Sequence, residues 1–350
     1  MITEGLKGQD FIRLQDFSKA EIESMLELGL RLKSDNAMRR AHDDILPRRT
    51  LFMMFFNPSL RTRNSFEAGI FQLGGHAHFL EPSATRLPTL EGEDLGYASE
   101  RISDVARVLS SMGDAIAIRI LGAAVGWEYD KSFRIIEEFA KWSVKPVINM
   151  EDNKYHPNQG MADAMTLWEL FGKDLRGRKV GVSWAYGSSP SKPIAPHHDF
   201  LYVASLFGAD VVLSHPEELH IDPEIEAQVK SNAELYGGSF QISNKMEDAF
   251  EDADVVYAKN YVALDLLPPA TKEPQSEEMM KLFGKYKDWI ADEKRMNLAK
   301  PTAQYMHCLP CERGAEVADA VLDGKWGAAC FSEAENRLHA QKGVMASIIQ

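Results

Sequence analysis

Ser59, Arg61, Thr62 and Arg63 stand almost side by side, two hydroxyls interleaved with two guanidiniums. They follow the apolar run Leu51–Phe56 and precede a helical pattern from Ser65 to Leu73, closed by Gly74-Gly75. A helix that starts just after a buried strand turns the unpaired N–H groups of its first turn outward. With hydroxyl donors and charged forks beside them, such a start makes a cradle for an anion, phosphate above all. The alternative is a capping serine beside two solvated arginines, and local spacing does not separate the two. The cradle is not a P-loop, since no GxxxxGK[ST] occurs, and no GxGxxG dinucleotide fingerprint occurs either. That lack argues against a nucleotide-dependent dehydrogenase.

Other reactive side chains are sparse. Cys308 and Cys311 form one CxxC, and a single pair is weak support for zinc or redox work. His197-His198 lack ligands at metal-binding spacing, so no metal site is expected. The cysteines number three, an odd set that fits a reducing compartment rather than a disulfide scaffold.

The elements that must position these residues follow an α/β rhythm. Ser18 and Glu21 have capping-box spacing, and Ile22, Met25, Leu26 and Leu30 then recur at helical intervals. Strands are expected at Leu51–Phe56, His76–Leu80, Ala115–Ile120 and Val144–Met150, and then at Lys179–Ala185, Ala209–Ser214, Asp254–Ala258, Gln304–Cys308 and Ala328–Phe331. Helical patterns fall between most of them, among them Ile102–Met112, Lys131–Trp142, Met161–Phe171 and Pro223–Tyr236, and Glu335–Ile349 closes the chain. Strands alternating with helices imply parallel sheets covered on both faces. The fold class is α/β, with two doubly wound parallel-sheet domains bridged by helices. One domain spans 1–150 and the other 151–334, and helix 335–350 is expected to return to the first. Pro82–Tyr97 reads as a long polar loop, of the kind that is often functional.

Composition sets outer limits. The chain has 350 residues, 45% of them hydrophobic, which suits two ordinary domains. A net charge of -13 with no basic run disfavours nucleic acid as a partner. No apolar run approaches membrane-spanning length, and the first residues lack the apolar core of a signal peptide. A cytoplasmic protein with small-molecule partners is the expectation.

Ser59-Leu60-Arg61-Thr62-Arg63 resembles the S-x-R-T-R carbamoyl phosphate motif of the aspartate and ornithine transcarbamylase family. Further segments agree in the right order. Arg119 ends the strand pattern Ala115–Ile118, His156-Pro157-Asn158-Gln159 is similar to H-P-x-Q, and His307-Cys308-Leu309-Pro310 is similar to the H-C-L-P of ornithine-type members. Glu333-Ala334-Glu335-Asn336-Arg337 is similar to the family's E-A-x-N-R segment. The resemblance covers nearly the whole chain and implies transfer of a carbamoyl group from carbamoyl phosphate to an amine, with no cofactor. It implies that Ser59, the Leu60 main chain, Arg61 and Thr62 hold the phosphate. Arg119 then touches phosphate and carbonyl oxygen, and His156 the same oxygen. Gln159, with the main chain of Cys308 and Leu309, holds the carbamoyl amide, and Arg337 closes the pocket. A homotrimer with shared sites, the loop Pro82–Tyr97 reaching a neighbour, is implied as well.

The acceptor side departs from ordinary ornithine enzymes, which carry an Asp and an S-M-G loop for a free α-amino group. Here Val255–Val262 contains Lys259 instead, and a cation suits a carboxylate or an acylated amine. The loop Tyr186–Pro196, with Pro190, Pro193 and Pro196, resembles that of the knotted N-acetylornithine and N-succinylornithine branch, which implies a role in arginine biosynthesis. Knots are otherwise very rare. Members of that branch carry a tryptophan where this chain has Leu87, and an arginine two residues past H-C-L-P where it has Glu312, followed by Arg313. Lys259, Leu309, Glu312 and Arg313 are therefore the expected acceptor contacts. The acceptor is expected to be an N-acylated ornithine or another acidic amine. The alternatives are plain ornithine, or a non-catalytic relative that only binds carbamoyl phosphate.

Overall fold

The computed structural model describes residues 4–81, 85–93, 96–267 and 276–350. Positions 82–84, 94 and 95 of the expected long loop lie outside that set. The chain divides into two compact units. One comprises Met1–Val125, Asp130–Ala162 and Arg337–Gln350, the other Gly126–Tyr129 and Asp163–Asn336.

The first unit opens with α1 (Lys19–Ala37). The Ser18 hydroxyl accepts from Glu21 N–H while the Glu21 carboxylate accepts from Ser18 N–H at 2.8 Å, a complete capping box. β1 (Thr50–Phe55), α2 (Arg61–Gln72) and β2 (His76–Leu80) follow, then β3 (Leu87–Thr89), β4 (Ser99–Arg101), α3 (Ile102–Met112), β5 (Ala115–Arg119), α4 (Lys131–Trp142), β6 (Val147–Glu151) and the first part of α5 (Pro157–Phe171). The main sheet runs β2-β1-β5-β6, all parallel. Its core joins Met54, Ile116 and Ile118 from the strands to Ile102 and Ala106 of α3 and Ile135, Ile136 and Phe139 of α4. Those helical residues recur every three or four positions, the stripe a helix needs to bury one face. Within the expected loop, β3 pairs in parallel with β4 just beyond its end, with Leu87 opposite Ser99. Pro and Gly there gave no strand signal.

The second unit contains β7 (Lys179–Trp184), α6 (Ala195–Leu206), β8 (Asp210–Ser214), α7 (Pro223–Tyr236), β9 (Ser239–Ser243), β10 (Val255–Lys259), α8 (Ser276–Phe283), α9 (Glu293–Met296), β11 (Gln304–Met306), α10 (Asp319–Leu322) and the first part of α11 (Ala328–Ile348). Its parallel sheet runs β11-β10-β7-β8-β9. Gly181 lets β7 pass close to the 3-10 turn Met246–Ala249, since a Cβ there would lie 1.6 Å from Ala249 O. His197 and His198 start α6 fully buried, and His197 Nε2 lies 3.3 Å from Ser183 O. Burial holds His197 well below the ordinary histidine pKa, in its neutral form.

One expectation fails here, and one strand was not expected. Ala328–Phe331 is the first turn of α11, not a strand. A four-residue apolar run fits either state, and here it extends a helix rich in alanine. β9 gave little signal, because only Phe240 and Ile242 are apolar in a half-exposed edge strand.

Residues 337–350 of α11 belong to the first unit. Leu338, Lys342 and Met345 lie against Gly69 of α2, where a Cβ would sit 3.0 Å from Met345 Cε. Gly343 lies against α1, where a Cβ would meet Met25 O at 2.3 Å. Among the described residues no helix is long and apolar enough to cross a membrane.

Candidate active site

In the first unit the strand order changes direction between β1 and β5, the place where open α/β sheets bind ligands beyond their strand ends. The register pairs Phe55 with Arg119, and Phe56 N–H donates to Arg119 O at 2.9 Å. Arg119 therefore ends β5 where the chain leaves β1 toward α2. Asn57 pins that connection, accepting from Leu121 N–H at 2.9 Å and donating to Leu121 O at 3.0 Å.

α2 begins at Arg61, so the backbone N–H groups of Arg61, Thr62 and Arg63 form its open first turn. Thr62 is buried and its hydroxyl accepts from Arg337 Nη2 at 2.8 Å. Arg337 Nη1 donates to Gln159 Oε1 at 2.7 Å, so one guanidinium joins α2 to α5. Arg61 is half-buried, and among the described residues its guanidinium has no hydrogen-bond or ion-pair partner. Ser59 is also half-buried, while Leu60 is exposed. Arg63 leaves the cluster. Its guanidinium stacks 3.8 Å from the centre of the Phe79 ring and lies 3.7 Å from Glu67. A cavity of about 340 Å³ opens between Phe55, Ser59, Arg63 and Phe79.

Arg119 Nη1 donates to Glu151 Oε2, and the same carboxylate oxygen lies 3.5 Å from His156 Nε2. Arg119 Nε is buried and finds no partner among the described residues. A buried donor without an acceptor is costly, and a bound anion would satisfy it. The turn from β6 into α5 is held by Asp152, which accepts from Lys154 N–H at 2.6 Å, Tyr155 N–H at 3.0 Å and Asn149 Nδ2 at 2.6 Å. Complete burial pushes Asp152 up to about 7 even so. His156 follows that turn, and its carbonyl accepts from Gln159 N–H at 2.8 Å in the first turn of α5.

In the second unit the corresponding switch lies between β7 and β10, whose last residues, Trp184 and Lys259, pair in register. Lys259 is buried, and its ammonium donates to Pro193 O at 2.9 Å and Asn260 O at 2.7 Å. Its charge is thus directed into the proline-rich loop rather than presented openly, as burial of an ammonium requires carbonyl partners. Cys308 N–H points at the Tyr257 hydroxyl at 3.3 Å. Burial raises the Cys308 thiol, but His307 and Lys259 beside it outweigh that and lower its pKa. Leu309 has φ +53°, a left-handed backbone uncommon for a branched residue, and its N–H donates to His307 Nδ1 at 2.8 Å. Glu312 accepts from Ser188 N–H at 2.9 Å. Arg313 stands apart, held by Asp319 at 2.6 Å and by both Asp323 oxygens at 2.6 and 2.8 Å.

Sequence patterns alone missed Glu151, Asn57, Lys192 and Glu316. Glu151 carried a faint signal, an acidic residue ending a strand just before the H-P-x-Q segment. Among the described residues no cluster of His, Cys, Asp or Glu is arranged to hold a metal ion.

Two parallel-sheet units, each with polar groups gathered past its strand ends and one rich in guanidiniums, define a group-transfer enzyme with an anionic substrate. Comparison with known proteins agrees. Residues 9–169 match the carbamoyl-P binding domain of aspartate/ornithine carbamoyltransferases and residues 197–348 match the Asp/Orn binding domain. The chain belongs to the aspartate/ornithine carbamoyltransferase family. It is 37% identical over 344 residues to the N-acetylornithine carbamoyltransferase of Xanthomonas campestris, covering 97% of each chain. It is 36% identical over 344 residues to the ornithine carbamoyltransferase of Pyrococcus abyssi, covering 98% of this chain and 96% of that one. The crystal structure of an acetylornithine transcarbamylase complexed with acetylcitrulline superimposes with a TM-score of 0.88 at 35% identity, covering 98% of this chain and 99% of the other.

Proposed function

We propose that this carbamoyltransferase moves the carbamoyl group of carbamoyl phosphate to the side-chain amine of an N-acylated ornithine, releasing phosphate. The amine nitrogen attacks the carbonyl carbon, and a C–N bond forms as the C–O bond to phosphate breaks. Phosphate leaves with the electron pair and, as the base released in the step, takes up the proton that the amine sheds. Negative charge grows on the carbonyl oxygen and on the departing phosphate, so donors fixed beforehand at those points lower the barrier. Ser59, Leu60 N–H, Arg61 and Thr62 hold the phosphate. Arg119 bridges phosphate and carbonyl oxygen, and His156 donates to the same oxygen. Gln159 and the main chain of Cys308 and Leu309 orient the amide, and Arg337 closes the site. Lys259, Leu309 and Glu312 shape the acceptor side, with Arg313 bracing the turn from outside.

The observation that carries this reading is Arg337, buried and donating at once to Thr62 and Gln159 beside the open first turn of α2. An assembled donor set is of little use to a mere scaffold. The acylated acceptor draws support from the Xanthomonas relative. Plain ornithine is the second reading, favoured by near-equal identity to ornithine carbamoyltransferases.

Three finer features belong to the same proposal. The chain acts in the cytoplasm, in arginine biosynthesis. It forms a homotrimer, for which exposed Phe71 beside the open edge of β2 supplies a contact face. Its second unit is knotted through the proline-rich loop. Phosphate release from carbamoyl phosphate with N-acetylornithine, N-succinylornithine and ornithine in turn tests the central claim. A preference for an acylated acceptor is expected. Ornithine as the best acceptor would replace the first reading with the second, and no release with any amine would leave the non-catalytic alternative. Sedimentation should give a trimer, and a stable active monomer would remove that feature.

A further inference from the structure

Glu316 is a buried, multiply hydrogen-bonded carboxylate with no part in the transfer step itself. It is fully buried, yet its carboxylate collects donors from three separate segments. Oε1 accepts from Asn260 N–H at 2.7 Å, just past the end of β10. Oε2 accepts from Lys192 Nζ at 2.6 Å, in the proline-rich loop, and from Glu312 N–H, in the turn after β11. His307 Nε2 lies 3.6 Å from Oε1. Because Leu309 N–H donates to His307 Nδ1, that nitrogen is unprotonated and the ring proton sits on Nε2, facing Glu316. One carboxylate thus holds the turn after β11 directly through Glu312 N–H and the proline-rich loop through Lys192, while the His307 imidazole that accepts from Leu309 N–H stands 3.6 Å away. Burial opposes its ionisation, but His307, Lys259 and Lys192 hold its pKa well below the ordinary carboxylate value, so it stays an anion at neutral pH.

We propose that Glu316 is a positioning residue for carbamoyl transfer, locking the Cys308–Leu309 turn, the proline-rich loop and the end of β10 into one geometry. This rests on the proposed reading that the Cys308 and Leu309 main chain faces the substrates. Glu316 itself touches neither substrate. Its carboxylate sets how the amide-holding turn and the acceptor loop stand to each other, and Lys192 carries the second half of that link. Misplacing a reacting group by an ångström costs about a hundredfold.

Glu316→Gln keeps the size and one carbonyl oxygen but removes the charge, so it cannot satisfy all the donors. Lys192→Met removes the loop partner and leaves the turn intact, which covers the case of a Glu316 variant that does not fold. Steady-state kinetics on the full chain should show acceptor KM raised about tenfold or more and kcat lowered in both. KM for carbamoyl phosphate, whose phosphate is held at Ser59–Thr62, should rise by less than the acceptor KM, and Glu316→Asp should recover part of the loss. The double variant should cost little more than the worse single one, since both cut the same link. Hydrogen–deuterium exchange provides a readout that needs no turnover. Residues 188–193 and 309–312 should exchange about tenfold faster in Glu316→Gln, with residues 50–72 unchanged. If the wild type turned over no amine, the functional reading would fall while the exchange result still judged the lock. Unchanged exchange in those segments, or acceptor KM unmoved in folded Glu316→Gln, would overturn the proposal. Equal loss of affinity for both substrates with faster exchange everywhere would reduce Glu316 to a general structural role.

Discussion

Arg337 Nη2 and Thr62 Oγ1 lie 2.8 Å apart although 275 positions separate them in the chain. Thr62 lies in the first turn of α2, and Arg337 begins the part of α11 that belongs to the first unit. The pair ties the last helix to the anion cradle, and the second fork of Arg337 reaches Gln159. The guanidinium serves the two acceptors from two separate nitrogens in a fixed plane, a span that a single ammonium nitrogen does not reproduce. Arg337→Lys should therefore lower kcat/KM for carbamoyl phosphate by about tenfold to a hundredfold, with the melting temperature little changed. Near-normal kinetics in that variant would exclude Arg337 from the cradle.

Arg61 and Arg119 carry the charge that grows during transfer. Arg61 has no protein partner among the described residues, and Arg119 has a buried Nε donor without one, so both are poised for a ligand. Arg61→Ala or Arg119→Ala should cut kcat on the order of a hundredfold to a thousandfold while the far-UV spectrum stays as in the wild type. A variant that keeps its rate at saturating carbamoyl phosphate has the wrong role assigned. Arg63→Ala is the contrast, because stacking on Phe79 takes it out of the cradle, and its kcat should change by less than about tenfold.

These arginines show what the sequence makes legible. Ser59 to Arg63 sit on one strand-to-helix turn, so local spacing alone brings them together, and the Ser18–Glu21 cap is local in the same way. Glu151 and Glu316 are different. Each matters because distant segments converge on it, Arg119 and His156 on one, Lys192, Asn260 and His307 on the other. No pattern along the chain marks a residue whose partners are set only by the register of two sheets. Ala328–Phe331 misled for the opposite reason, since a short buried run reads alike as strand or helix. Lys259 fell between these cases. Its place at the end of β10 was legible, whereas the turn of its ammonium toward Pro193 and Asn260 depends on a loop whose path spacing does not specify.

Close packing of α11 on α1 gives a stability test away from the chemistry. A Cβ at Gly343 would lie 2.3 Å from Met25 O and 3.0 Å from Gly29 N, so the two backbones would have to separate. Gly343→Ala should lower unfolding free energy by about 2 kcal/mol, in the range seen for overpacked interiors. Gly284→Ala, where a Cβ meets nothing within 4 Å, should stay within about 0.5 kcal/mol. Denaturant titration of both variants measures the contrast, and equal midpoints would mean that the helices are not in tight contact.

Lys342, one position before that glycine, gives the same helix a pH signature. Its ammonium is buried, donating to Gln72 Oε1 at 2.9 Å, with His42 Nε2 at 3.2 Å. His42 Nδ1 faces Arg40 O at 3.1 Å, so the ring proton belongs there and Nε2 is free to accept from the lysine. Burial lowers Lys342 from 10.5 to about 8, with Asp35 opposing. Below that value folded and unfolded chains both hold the proton, and the penalty of burying the charge is constant. As pH rises from about 8 toward 10.5, the unfolded chain still binds a proton that the folded chain has shed. The unfolded state then binds more protons, so stability rises with pH across this window. Lys342→Met removes the titrating group and keeps most of the volume. The melting temperature of the wild type minus that of Lys342→Met should therefore be flat from pH 6 to about 7.5 and climb from about 8 to 10. A difference that stays level to pH 10, or that falls, would mean the amine keeps its ordinary proton affinity in the fold.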